Sequence, residues 1–336
     1  MATYHVTVAG AGDNSGDSWA NAMANSDFAT AYGSLTVGDI CLVKSGTYSF
    51  SDSLAPSNSG TYASPILIFG VVSSATTENV PTPAEFAFGT DRPIFNFDTG
   101  YRITVGVRWG IYNFRLNCEY NGTAINLGNQ AGMHNCDATN SYNNSGCKVL
   151  DWTTGCRISY CNISSTYGHG INRSSASDNL SIVYCRFNTP NGVALMLGGQ
   201  SACYRNIIDT SSTGIQLSNL YGGSVFIAEN TIYNCSIGIR NAYNAHTSVI
   251  INNIISDCGV GFQDNSTTYQ KSFYFDYNNW YNNTIDHSWD DGSTEDNTYK
   301  GPNDVDVDPD FVNAGSGDFT PQTTGLSGGM PIIVGV

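Results

Sequence analysis

Short apolar runs alternate with polar punctuation along most of the chain. Ser181-Ile-Val-Tyr184, Val225-Phe-Ile227, Val249-Ile-Ile251 and Phe273-Tyr-Phe275 are bounded by Gly, Asn, Ser and Asp, and no long stripe of helical period runs through them. Runs of this length and residue type predict strands joined by turns. Between Asn113 and Trp280 the punctuation itself returns about once every two dozen residues, the mark of a solenoid or an array. Asn113, Cys136, Cys161, Cys185, Asn206, Asn230, Asn253 and Asn278 align in one column, with a bulky apolar residue one or two places later: Phe114, Ile163, Phe187, Ile208, Ile232, Ile255 and Trp280. Gly122, Gly146, Gly170, Gly192, Gly214, Gly238 and Gly261 align in a second column.

Two or three strands per repeat leave no room for a helix, which removes leucine-rich and helical-pair solenoids, and a propeller blade needs about 40 residues. What remains is an all-β parallel β-helix, each coil hydrogen-bonding the next and each column stacking on itself. A stacked Asn has a physical use there, because its amide both donates and accepts. The Gly column marks a corner that needs positive φ or a close approach.

The phrase from Asn230 to Ile239 and its copies resemble the repeats of right-handed parallel β-helix proteins of the pectate-lyase-like superfamily. The run from Gly10 to Ala22, then Val37 to Val43 and Ser45 to Tyr48, is similar to the opening of secreted and phage-borne members, and Asp306 to Asn313 with Gly317 to Phe319 to their closing segment. The resemblance implies a right-handed β-helix and leaves function open, since the superfamily holds lyases, hydrolases and non-enzymatic surface proteins.

Three parts are expected: a strand and helix cap over residues 1–38, the parallel β-helix over 39–300, and a closing segment over 301–336. In the cap, Tyr4 to Val8 reads as a strand and Ser18 to Ala31 as helix-like with Ser18 as N-cap. Such a helix would cover the open end of the stack, otherwise a row of unpaired strand edges. Longer loops, Ser51 to Ser64 and Val72 to Thr90, interrupt the first coils, and loops on a rigid scaffold are where binding resides. The apolar tail Pro331 to Val336 either closes the last coil or packs on a partner, including another copy of the chain.

Charge narrows the partners. A formal net charge of −15 excludes nucleic acid, for no Lys/Arg cluster is present to neutralise phosphates. It also repels acidic polysaccharides at long range unless a local basic pocket overrules it. No run approaches the length of a membrane span, and the start has neither the charged nor the apolar region of a signal peptide. A β-helix of the extracellular type without a secretion signal is expected on a virion, or outside the cell if the signal was removed. The ten cysteines read as buried ladder thiols, with a disulfide framework as the alternative, and their spacing gives no zinc site.

Candidate chemistry is sparse. Gly168-His-Gly170 resembles a phrase of polygalacturonase-like hydrolases, but the preceding coils offer Asp151 and Asn126 and no carboxylate pair for glycosidic cleavage. A lyase would need an Arg or Lys base and commonly a calcium cage; the acids and cations of the coils, among them Asp137, Asp178, Asp209, Glu229, Arg157, Arg186 and Arg205, put no three acids in a column. Asp304, Asp306, Asp308 and Asp310 alternate on one strand face, as a calcium site or as a solvated acidic edge. Tyr142, Tyr167, Tyr221, Tyr243, Trp289 and Tyr299 lie in turns and suit stacking on sugar rings. The reading is a virion-exposed structural protein of a bacterial virus (fibre, spike or capsid-surface component) that contacts carbohydrate through Tyr167, His169 and Arg173. No catalytic set, metal or cofactor is expected, and its partners are a glycan and other virion proteins. The alternative is a polysaccharide lyase, or after it a glycoside hydrolase.

Overall fold

The structure, a computed structural model, describes residues 1–86, 90–152, 154–172, 179–217, 224–242, 247–265, 272–289 and 300–323. It divides into two compact units, Met1–Asn162 and Ile163–Val336. Each is a parallel β-helix whose coils contribute one strand to each of three sheets, here A, B and C in chain order. In the first unit sheet A contains Thr3–Val6, Ile40–Lys44, Ile66–Val71, Trp109–Tyr112, Gly132–His134 and Arg157–Ser159. Sheet B contains Gly46–Phe50, Pro93–Phe97, Arg115–Cys118 and Asp137–Asn140, and sheet C Ile103–Val105, Thr123–Leu127 and Lys148–Trp152. In the second unit, five regular rungs repeat the order, from Leu180–Val183 in sheet A through Asn279–Tyr281 in sheet B to Ile285–Trp289 in sheet C.

The corner from sheet A to sheet B is a single left-handed residue. Asn113, Asn135 and Tyr160 make it in the first unit, with φ of 68°, 51° and 55°, and Tyr184, Arg205, Glu229, Asn252 and Tyr277 in the second. One αL residue between two strands turns the chain sharply without a loop, and Asn tolerates that conformation better than other non-glycine residues. Asn113 therefore belongs to the corner and not to the ladder column. Arg115 pairs in register with Asp137, so Phe114 is the residue level with Cys136.

Directly after the corner comes the ladder. In the second unit the Cys185 N–H donates to Asn206 Oδ1 (2.8 Å), Asn206 Nδ2 to Asn230 Oδ1 (2.9 Å), Asn230 Nδ2 to Asn253 Oδ1 (3.0 Å) and Asn253 Nδ2 to Asn278 Oδ1 (2.9 Å). Each amide oxygen also accepts the backbone N–H of the residue one rung before it. Asp304 ends the series, its Oδ1 accepting from Asn278 N and Nδ2 and its Oδ2 from Trp280 Nε1 and Gly301 N. Two places beyond the ladder, Phe187, Ile208, Ile232, Ile255 and Trp280 are fully buried. All ten cysteines are buried free thiols, and burial pushes those of Cys118 and Cys203 up to about 12.

The glycine column lies inside sheet C and is shorter than the sequence pattern suggests. Gly214, Gly238 and Gly261 are level with one another, but Ala194 stands level with Gly214 where Gly192 was expected, and Cys147 stands opposite Gly122 in place of Gly146. At Gly214 and Gly238 the cause is close approach, a Cβ there lying 2.6 Å from Gly238 O and from Gly261 O respectively, whereas Gly122 has a φ of 147°.

At the N-terminus the helix spans Asn25–Ser34, later than expected, and Ser18 precedes only a 3-10 turn at Trp19–Asn21 without capping it. Bridges of Met23 to Val6 and of Ala24 to Ala9 hold the intervening residues extended. The helix buries Phe28 against Phe50 and Phe95, and Tyr32 against Trp109. In the second unit the chain returns from Gly301 over the outside of sheet B. Val305 bridges Asn279, Phe311 and Phe319 pack on Tyr233 at 6.0 and 5.1 Å, and Arg186 donates to Gly317 O at 3.2 Å. The tail 324–336 lies outside the described residues.

Candidate functional site

In the first unit the residue just before the corner lies on the outer side of sheet A in the strands Trp109–Tyr112, Gly132–His134 and Arg157–Ser159. In the first unit Phe69, Tyr112, His134 and Ser159 are mutually in register there. Phe69 is covered: it belongs to an apolar cluster with Ile40, Leu42, Val71 and Ala75, against which Trp19 and Phe86 pack. Beyond it Tyr112 and His134 are half-buried, and Ser159 is buried. The rings of Phe69 and Tyr112 stack at 4.8 Å, Tyr112 and His134 stand 5.9 Å apart, and His134 meets Tyr160 edge-on at 5.2 Å.

Two residues nearer the strand start, the outward column reads Leu67, Gly110, Gly132 and Arg157. Tyr112 lies over Gly110, since a Cβ there would fall 2.6 Å from the ring. Gly132 is open, its missing Cβ having no neighbour nearer than 3.6 Å. The result is a shallow floor with a phenol on one side and the exposed Arg157 on the other. Ser159 Oγ lies 2.9 Å from His134 Nδ1; when the hydroxyl donates, the neutral ring carries its proton on Nε2. Burial, then the charge of Arg157, lowers the pKa of His134, while burial raises that of Tyr112 against the pull of Arg157. The face thus offers a cation, a neutral imidazole, a hydroxyl and two rings. Tyr160, 40% exposed, holds its ring outward from an αL backbone, a conformation costly for an aromatic residue.

The residues singled out from sequence lie elsewhere. Tyr167 is exposed in a turn of the second unit, and His169 follows on the strand His169–Ile171, its Nδ1 accepting the Val193 N–H at 2.9 Å. That bond fixes the imidazole to the next rung of sheet C. Arg173, Asp178, Tyr221, Tyr243 and Tyr299 lie outside the described residues. Asp151 is 3.4 Å from Lys148 in the first unit. The other charges form pairs: Asp137 with Arg92 and Arg115, Asp209 with Arg186, Glu229 with Arg205. No group of three His, Cys, Asp or Glu side chains suited to a metal occurs among the described residues, and no helix there is long and apolar enough to cross a membrane. Sequence reading passed over Tyr112, His134 and Tyr160. The signal for the first two is a ring immediately before a corner Asn, at Tyr112-Asn113 and His134-Asn135.

No family model and no curated protein matches the chain. Solved structures do. Pectate lyase Pel9A is 18% identical over 98% of this chain and 87% of its own, with a TM-score of 0.56. XylC in complex with xylose is 10% identical over 92% and 87%, at 0.52. The alginate lyase AlyF-OU02 is 12% identical over 90% of this chain and 63% of its own, at 0.51. At these identities the likeness is one of fold, and the chain has the pectate-lyase-like right-handed parallel β-helix fold.

Proposed function

We propose that this protein contacts polysaccharide through the outer face of sheet A in the first unit. The observation that carries the reading is the row Tyr112, His134, Tyr160 beside Arg157, where rings spaced by the rung repeat flank an open glycine floor. Aromatic faces stack on sugar rings, and a shallow trough with few convergent polar groups is the usual form of such a site. Arg157 selects for a carboxylate or another anionic substituent. The named activities of the fold neighbours, pectate lyase and alginate lyase, agree with a glycan ligand. Binding is tested on immobilised polysaccharides: Arg157→Ala should lower affinity for acidic glycans about tenfold, or about 1.4 kcal/mol. Equal binding by wild type and variant would sink the assignment.

A second reading, polysaccharide lyase, rests on the same four residues. β-Elimination takes the proton α to the uronate carboxylate, forms a C=C bond and breaks the β glycosidic C–O bond, the departing oxygen being protonated from solvent; neutralising the carboxylate falls to Arg157 and accepting the α-proton to the neutral His134. Formation of unsaturated uronate products, lost in His134→Ala, distinguishes it from binding alone. As the setting we propose the surface of a bacterial virus, with release outside the cell as the alternative. Ten buried free thiols favour folding in a reducing compartment over a secretory route. Detection of the chain in purified virus particles supports this, and detection only in a culture medium free of particles refutes it.

A further inference from the structure

The opposite edge of sheet A in the first unit carries another exposed ring. Tyr62 is 77% exposed, more than any other aromatic side chain described. It is nevertheless fixed. Arg108 lies against its ring at 4.5 Å, and Gln130 Nε2 donates to its hydroxyl. Arg108 and Gln130 are both left-handed, with φ of 56° and 59°, and both sit just before the strands that carry Tyr112 and His134. The loop bearing Tyr62 is clamped to the same rung, with Gly60 N–H on Val107 O at 2.9 Å and Trp109 Nε1 on Asn58 O at 3.2 Å. Arg108 Nε and Gln130 Oε1, on the two side chains that hold the ring, are buried without hydrogen-bond partners.

We propose that Tyr62 is a second stacking platform, and that a saccharide chain bound to this face crosses the sheet along its strands, from Tyr62 to Tyr160, rather than running from rung to rung. This rests on the proposed glycan-contacting role of the face. Tyr62 is held at the level of Gln130 and Tyr160 lies at that of Asn135, five residues on, so the platforms stand about 15 Å apart by strand rise. The open Gly132 lies between them. An exposed ring already held in place loses little freedom when a ligand arrives, which favours binding.

The test uses an array of uronate and neutral hexose oligomers of graded length, probed with the full chain. Tyr62→Ala should weaken binding of the longer oligomers about tenfold and leave the shortest unchanged, while Tyr62→Phe, which keeps the ring, should stay near wild type. If wild type binds and Tyr62→Ala matches it at every length, the crossing direction is wrong and the contact face stands. If wild type binds nothing on the array while the unfolding midpoint is normal, the contact face itself fails, and this proposal with it.

Discussion

Tyr160 condenses the tension between stability and function at a single residue. Its αL backbone costs about 1–2 kcal/mol for an L-residue with a Cβ, and Asn fills the equivalent corner at Asn113 and Asn135 at lower cost. The aromatic residue keeps the corner strained and places a ring on the outer face. Tyr160→Asn should therefore raise the denaturant midpoint, or leave it unchanged, while weakening glycan binding. Losing both stability and binding would mean that the ring serves packing instead. The two kinds of Asn explain a one-residue slip in the sequence reading. Asn113 takes the positive φ of the corner, its Oδ1 also accepting from Asn135 Nδ2, whereas Asn230 serves through its stacking amide alone, and the letter is the same. Only the pairing of Arg115 with Asp137 separates the two uses.

At the scale of elements, the rungs were legible in the sequence and the surfaces they build were not. Period, strand type and the ladder from Cys185 to Asn278 follow from columns that recur whatever the loops do. The outward row follows from register, because Tyr112, His134 and Ser159 come together only once three strands are aligned. The prominent phrase around His169 drew attention to a side chain that caps a neighbouring backbone N–H. Asp304 likewise read as part of an acidic edge, yet it terminates the Asn ladder, a role set by a chain reversal that no local pattern encodes. That returning strap bonds Asn279 and packs on Tyr233, while Ile207, Thr231 and Ile254, in register with Asn279 on sheet B, are buried. Phe319, fully buried against Tyr233 and Phe311, is its anchor. Phe319→Ala should cost about 3 kcal/mol and open the strap first, read as faster proteolytic cleavage within 305–322 while the rungs stay protected. Unchanged cleavage there would show that the Asp304 and Asn279 contacts hold the strap alone.

For the whole molecule, charge and site pull in opposite directions. The chain carries 13 basic and 28 acidic residues, so an acidic polysaccharide approaches a like-charged body, while the proposed contact face presents Arg157 locally. The long-range part of this field is screened over about 10 Å at 0.1 M salt and over about 30 Å at 0.01 M; a cation in contact with its ligand is screened less. Association and dissociation should then respond differently to salt. The association rate for a uronate oligomer should rise several-fold between about 0.01 and 0.15 M salt as repulsion is screened, with a smaller rise in dissociation as the Arg157 contact weakens. A neutral oligomer of equal length should show no trend in either rate. Stopped-flow or surface-based kinetics on the two oligomers side by side separate these terms. An association rate that falls with added salt would mean that the local field at Arg157 outweighs the net charge, and that the face attracts polyanions from a distance.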